Sequence, residues 1–307
     1  MNHPPSAPAT PPIRHGSRQY KGRFAPSPTG PLHPGSLFTA LASYLDARSA
    51  GGFWFVRIDD LDPLRSRSEM ADRILHSLDA LHLHWDGSVL YQSHRMDAYQ
   101  AALDHLLETG LAYPCVCSRK DLAQHMIYPG TCRTIRSGLQ APHAIRVRVT
   151  DTAWLIEDAL QGPRTIRLDL SRGDFIIYRR DKVFAYHLAT VMDDAQQGIT
   201  HVLRGIDLLE VTAEQTYLRS VLQLAHPVHA HIPVLVDGQH QKLSKQTHAP
   251  EACVRQPSRL LIQLLGLLKQ QPPTDLQQEL PETILNWAIK NWNPTILSGL
   301  SQIALRP

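Results

Sequence analysis

The stretch 20–62 constrains the fold more than any other part of the chain. A short predicted strand at 20–24 enters a loop with four prolines and two glycines, Pro26, Pro28, Gly30, Pro31, Pro34 and Gly35. A helix is predicted from about Ser36 to Ser49, with Leu37, Phe38, Leu41, Tyr44 and Leu45 on its apolar face and Gly51-Gly52 as its stop. The run 53–58 then reads as a buried strand ending in Asp59, Asp60 and Asp62. Strand, helix, strand at this spacing predicts a parallel sheet with a right-handed crossover, whose ligands sit beyond the carboxyl ends of the strands.

Capping boxes at Ser66/Glu69 and Asp207/Glu210 predict two further helix starts. The alternation of Ile145, Val147 and Val149 with Arg146 and Arg148 predicts a half-buried strand with its arginines outward. The α/β alternation lapses after 110 and resumes near 171. The expected fold is therefore α/β, a Rossmann-like doubly wound parallel sheet with an insertion and a short helical C-terminal region. The expected divisions are a disordered Pro-rich tail at 1–19, half-domains at 20–110 and 171–250 around the insertion at 111–170, and helices at 251–307.

Net charge of +3 in 307 residues leaves a polyanion to be met by local patches. Arg164, Arg167, Arg172, Arg179 and Arg180 are the candidate basic face. Charged residues interrupt every apolar run before the ~18–20 residues of a membrane span, so no membrane association and a cytoplasmic location are expected. Four cysteines are too few for a disulfide scaffold in a chain this long, and Cys115, Cys117 and Cys132 cluster as metal ligands would in a reducing compartment. Three thiolates with one N or O donor make a closed structural zinc site, and side-chain chemistry alone favours His125 as the fourth ligand. Cys253 reads as a buried thiol.

Two loops carry the chemistry. The Pro/Gly loop precedes a helix whose free N–H groups and positive dipole end suit a phosphate, and Lys242, Leu243, Ser244 and Lys245 place two ammonium groups and a hydroxyl after a strand. Together they resemble the two signature motifs of the class I aminoacyl-tRNA synthetases. Residues 23–36, 57–62, Tyr91-Gln92-Ser93 and Leu203-Arg204-Gly205 resemble the glutamyl branch of that class, over about 20–250.

The resemblance implies ATP, with Mg²⁺, as the nucleotide. His33, Gly35, Ser36, Lys242, Ser244 and Lys245 would bind it, Lys245 and His33 acting in catalysis. It implies glutamate at Arg23, Phe24, Ala25, Pro26, Ser27, Asp59, Tyr186 and Arg204, with the arginines facing carboxylates and Asp59 facing the ammonium. Asp59 departs from the branch, which commonly carries glutamate there. The family match selects Tyr128 in place of His125 beside Cys115, Cys117 and Cys132. Only 62 residues follow Lys245, fewer than the ~100–150 of a full domain, so an anticodon-binding module is not expected. The resemblance then implies the short form of the branch, a monomeric ligase that transfers glutamate to the queuosine base in the anticodon of aspartate tRNA. The rival readings are a truncated enzyme charging the 3′ end of glutamate tRNA, a small-molecule adenylyltransferase, and a non-catalytic zinc-dependent RNA-binding protein.

Overall fold

The computed structural model describes residues 19–135, 142–239, 241–242 and 254–305. The expected tail falls almost wholly outside them, as do Ser244, Lys245 and Cys253. The chain opens with β1 (Lys21–Phe24), α1 (Pro34–Ser49), β2 (Phe53–Ile58), α2 (Ser68–Ala80), β3 (Leu90–Tyr91) and α3 (Met96–Glu108). β1, β2 and β3 pair in parallel, with Lys21 opposite Phe53 and Arg57 opposite Leu90.

The lapse in the α/β alternation corresponds to antiparallel structure. It comprises β4 (Ala112–Cys115), β5 (Ala144–Val147), a hairpin of β6 (Ala153–Ile156) and β7 (Arg164–Arg167), a one-turn helix α4 (Leu168–Ser171) and β8 (Ile176–Tyr178). β8 pairs with β5, so the antiparallel sheet continues past the boundary at 170 expected from sequence. Arg146 is buried at 8% exposure, against the expected outward arginine, because its side chain is covered by Cys115 and the Tyr128 ring.

The parallel order resumes with α5 (Tyr186–Gln196), β9 (His201–Gly205), α6 (Val211–Val221) and β10 (Val228–Ile232). The Lys21 N–H donates to Thr200 Oγ1 at 2.9 Å and the Thr200 N–H donates to the Lys21 carbonyl at 3.0 Å, setting β9 beside β1. β11 (Val234–Val236), α7 (Pro257–Leu267), α8 (Pro281–Asn291) and β12 (Gln302–Ala304) complete the chain. The C-terminal region is thus not purely helical: β12 returns to pair in parallel with β11.

Why α1 is the hub follows from its composition. One stripe of Leu37, Phe38, Leu41, Tyr44 and Leu45 would cover the sheet, yet Ala40, Ala42, Ser43 and Ala47 are buried as well. Their small side chains let α7 and α8 close over the opposite face. Gly22 serves the same packing, since a Cβ there would lie 2.9 Å from the Tyr20 ring and 3.5 Å from Ala47. His33 caps α1, accepting from the Ser36 N–H through Nδ1 at 3.3 Å, and Pro34 takes the first turn where its missing N–H costs nothing.

Neither expected capping box forms. α2 starts after Arg67 and α6 after Glu210, both without a side-chain cap. The Arg67 N–H donates instead to the Pro28 carbonyl at 3.1 Å, tying α2 to the Pro-rich loop, and the Asp207 carboxylate is taken by Lys242.

α5 packs on α6 around Glu214, 4% exposed, whose oxygens lie 3.4 Å from Arg172 Nε and 3.2 Å from His187 Nδ1. Burial raises the Glu214 pKa to about 7 and lowers that of His187 to about 4. Between its ordinary 4.5 and about 7, Glu214 binds more proton folded than unfolded, so its contribution to stability falls as pH rises through that window. Glu214→Gln is expected to stabilise the protein at pH 8 by up to about 3 kcal/mol. Urea melts should show that gain at pH 8 and none at pH 5.

Candidate active site

At the carboxyl ends of β1 and β9 lies a cavity of about 340 Å³. Its walls include Arg23, Phe24, Ala25, Pro26 and Ser27 after β1, and His33, Gly35 and Ser36 at the start of α1. Tyr186 from α5, Arg204 from β9 and Lys242 after β11 complete the set brought together from the sequence reading. The two motif loops therefore converge, at least as far as Lys242. Its Nζ lies 2.5 Å from Asp207 Oδ2, spanning from the second loop to the turn after β9.

The His33 ring is more constrained than the sequence suggested. Its Nδ1 caps α1, while Nε2 lies 3.0 Å from Ser36 Oγ. One imidazole thus organises the turn that borders the cavity at Gly35 and Ser36.

The two cavity arginines differ in charge balance. Arg23 is 4% exposed and donates through Nε to Asp194 Oδ1 at 3.2 Å. Arg204 is also 4% exposed, and its partners are all neutral: His231 Nε2 at 3.0 Å, Gln215 Oε1 at 2.9 Å, Thr212 Oγ1 at 2.9 Å and the Leu208 carbonyl at 3.3 Å. Among the described residues no carboxylate oxygen lies within 4.0 Å of it. Burial lowers the Arg204 pKa, as befits a cation removed from water.

Asp59 is absent from the cavity walls. Its carboxylate accepts from Arg57 Nε at 2.7 Å, and burial raises its pKa against the pull of Arg57 and Arg23. Arg57, fully buried, also donates to Asp194 at 2.5 Å, and Arg219 reaches the other Asp194 oxygen at 3.3 Å. Asp193 accepts from Tyr99 at 2.6 Å, Gln92 at 2.9 Å and Arg95 at 3.2 Å. This lattice of three buried arginines and three aspartates lies behind the cavity, and sequence reading missed Arg57, Asp193, Asp194 and Arg219 as its members. The acidic pair in α5 was its one visible signal.

At the end of β4 and in the loop after it, the Cys115, Cys117 and Cys132 sulfurs lie within 4.8 Å of one another. Tyr128 Oη is 3.4 Å from Cys115 Sγ and 3.9 Å from Cys117 Sγ, and the Cys117 and Cys132 sulfurs are 3.5 Å apart. Ligands about 2.3 Å from a tetrahedral zinc sit ~3.8 Å apart, so this donor set fits that ion. His125 is exposed and outside the cluster. Arg146, which alternation alone places outward and so hides as a site residue, donates to Cys115 Sγ at 3.3 Å and stacks 3.9 Å over the Tyr128 ring, a partner suited to a thiolate.

The candidate basic face is largely occupied. Arg167 pairs with Asp169, Arg172 with Glu210 and Glu214, and Arg179 with Asp62 and Asp181, while Arg180 donates to the Val116 and Cys117 carbonyls.

The family model for tRNA synthetases class I (E and Q), catalytic domain, matches residues 19–256, which sets the class. A glutamyl-Q tRNA(Asp) synthetase of Thiobacillus denitrificans is 48% identical over 89% of this chain and 93% of its own. One of Chromobacterium violaceum is 45% identical over 89% and 94%. The chain belongs to this class I family and, within it, to the glutamyl-Q tRNA(Asp) synthetases. A crystal structure of a glutamate tRNA ligase from Elizabethkingia meningosepticum, in complex with its amino acid, shares the fold with a TM-score of 0.77 at 23% identity, over 93% of this chain and 67% of that one.

Asp194 sits below the ordinary carboxylate range, held there against burial by Arg23, Arg57 and Arg219. Asp194→Asn leaves those guanidiniums without their shared anion. It is expected to cost about 3–5 kcal/mol, read by denaturant unfolding at pH 7.

Proposed function

We propose that this protein is a ligase that activates glutamate with ATP to glutamyl-adenylate and transfers the glutamyl group to the queuosine base in the anticodon of aspartate tRNA. The observation that carries this reading is Arg204, a buried guanidinium with neutral partners only, opening into a cavity shared with the capped start of α1 and with Lys242. A buried cation without an anion is costly, and a substrate carboxylate relieves that cost. The names of relatives nearly half identical over most of both chains support the particular acceptor.

In this reading Arg204, Tyr186 and Arg23 orient glutamate, with Phe24, Ala25, Pro26 and Ser27 forming the wall behind it. Asp59 acts at one remove, balancing Arg57 beside Arg23. A glutamate carboxylate oxygen attacks the α-phosphorus of ATP, the bond to the bridging oxygen breaks, and pyrophosphate leaves with the electron pair. His33, Gly35 and Ser36 hold phosphate oxygens at the helix start, Mg²⁺ accompanying the nucleotide as part of that substrate. Lys242, Ser244 and Lys245 meet the charge developing on the leaving pyrophosphate. A queuosine hydroxyl then attacks the activated carbonyl and loses its proton to solvent, the bond from acyl carbon to phosphate oxygen breaks, and AMP departs with the electron pair.

We also assign residues 20–110 and 179–250 to the catalytic domain, 111–178 to the insertion, whose antiparallel sheet ends with β8, and 251–307 to a C-terminal cover, in a monomer acting in the cytoplasm. Cys115, Cys117, Cys132 and Tyr128 would hold one structural zinc ion in the insertion. Four-coordinate zinc leaves no position for substrate, so its contribution is to fix the loop.

Labelled glutamate is expected to enter queuosine-containing aspartate tRNA, and neither the unmodified form nor glutamate tRNA. Equal labelling of all three overturns the assignment. Arg204→Lys, which loses the planar fork, should raise the KM for glutamate about 10–100-fold while leaving that for ATP near its original value.

Elemental analysis is expected to find one zinc per chain, lost in Cys132→Ser and retained in His125→Ala. Zinc lost in His125→Ala and retained in Tyr128→Phe would return His125 as the fourth ligand.

A further inference from the structure

Behind Arg204 lies a second, wholly buried group that the chemistry above does not use. His231, on β10, is fully buried. Its Nε2 is 3.0 Å from Arg204 Nε, and its Nδ1 is 2.5 Å from Asp158 Oδ2. An arginine Nε can only donate, so the imidazole must accept at Nε2 and carry its proton at Nδ1, facing Asp158. The other Asp158 oxygen is committed to three backbone N–H groups, those of Leu160 at 3.0 Å, Gln161 at 2.9 Å and His231 itself at 3.2 Å. The carboxylate is therefore fixed in place with one oxygen left for the ring.

We propose that Asp158 and His231 are positioning residues for the substrate-binding guanidinium: the carboxylate selects the Nδ1–H tautomer, and that tautomer presents the acceptor which turns Arg204 toward the cavity. The inference rests on the reading of Arg204 as the group that meets the glutamate carboxylate. Nε–H is held by His231, one Nη1 N–H by Gln215 and both Nη2 N–H groups by Thr212 and Leu208, so the guanidinium is fixed from behind by neutral acceptors, while Tyr186 on the cavity wall bears on it from the front. Arg204 and Asp158 are the charges touching the ring, Asp207 bears on it from the turn after β9, and His229 on the same strand stacks parallel at 6.1 Å. The imidazolium would set an N–H against the Arg204 N–H, so only the neutral ring serves.

The test exploits the crowding on Asp158. In Asp158→Asn the single oxygen is claimed by the three backbone donors, and the amide NH₂ faces His231. The ring must then accept at Nδ1 and move its proton to Nε2, against Arg204. In ¹⁵N-edited NMR of the full chain, His231 is expected to report the Nδ1–H tautomer in the original protein and Nε2–H in Asp158→Asn. Steady-state kinetics of glutamate-dependent ATP–pyrophosphate exchange should show KM for glutamate raised at least 10-fold, with KM for ATP and kcat within about twofold.

His231→Asn, which keeps the Asp158 hydrogen bond but cannot reach Arg204, should repeat the kinetic defect. His231→Gln, which places an amide oxygen near the Nε2 position, should recover much of it. An unchanged tautomer in folded Asp158→Asn, or equal losses for both substrates across these variants, overturns the relay. Failure of the original protein to catalyse exchange with glutamate would instead overturn the functional reading, and the NMR result would still decide whether Asp158 sets the ring.

Discussion

Arg57 is the point from which the arrangement of this molecule is fixed. It sits in β2 with no exposed surface, and a guanidinium there requires anions from two directions: Asp59 on its own strand, and Asp194 from a helix 137 positions further along. Through Asp194 the same charge balance reaches Arg23 on β1 and Arg219 on α6, and the neighbouring Asp193 gathers Gln92, Arg95 and Tyr99. Such a lattice adds little net stability over an apolar core, because desolvating the charges offsets most of their attraction. What it supplies is uniqueness, since a shift of β1 against α5 would leave a buried charge unpaired.

This balance sets the character of the cavity in front of it. Arg23 pairs directly with Asp194, which it shares with Arg57 and Arg219, whereas Arg204 touches only dipoles and meets Asp194 only at longer range. The start of α1 adds a positive helix end, and Lys242 adds an ammonium tempered by Asp207. Anions entering here meet groups held in place beforehand, and preorganisation of this kind is the main protein contribution to phosphoryl transfer.

The local features of this design were legible in the sequence and the distant pairings were not. The Pro/Gly loop, the helix start at His33 and the Lys242 loop announce themselves because turn chemistry and motif spacing act over a few residues. Alternation misled at Arg146, since it gives a strand's two faces but not what covers them, and here the outer face meets Cys115 and Tyr128. The capping boxes misled because Asp207 found a stronger partner in Lys242 and because Arg67 is anchored by the Pro28 carbonyl. Asp59 looked like a substrate ligand by position in its motif. Its engagement by Arg57, two residues away on the same strand, depends on burial that no local pattern encodes.

The insertion is therefore more than an appendage. Arg180, after β8, donates to the carbonyls of Val116 and Cys117, and Arg179 reaches Asp62 beyond β2, so the cysteine-bearing sheet is tied to the loops around the cavity. Asp158, just after β6, meets β10 through His231. Residues that break the α/β alternation thereby supply the carboxylate behind a cavity arginine. A sheet of alternating strands and helices provides the crevice, but holding a lone buried guanidinium there takes a second layer of polar groups. In this chain the interruption supplies part of that layer, which ties its fold to the geometry of the site.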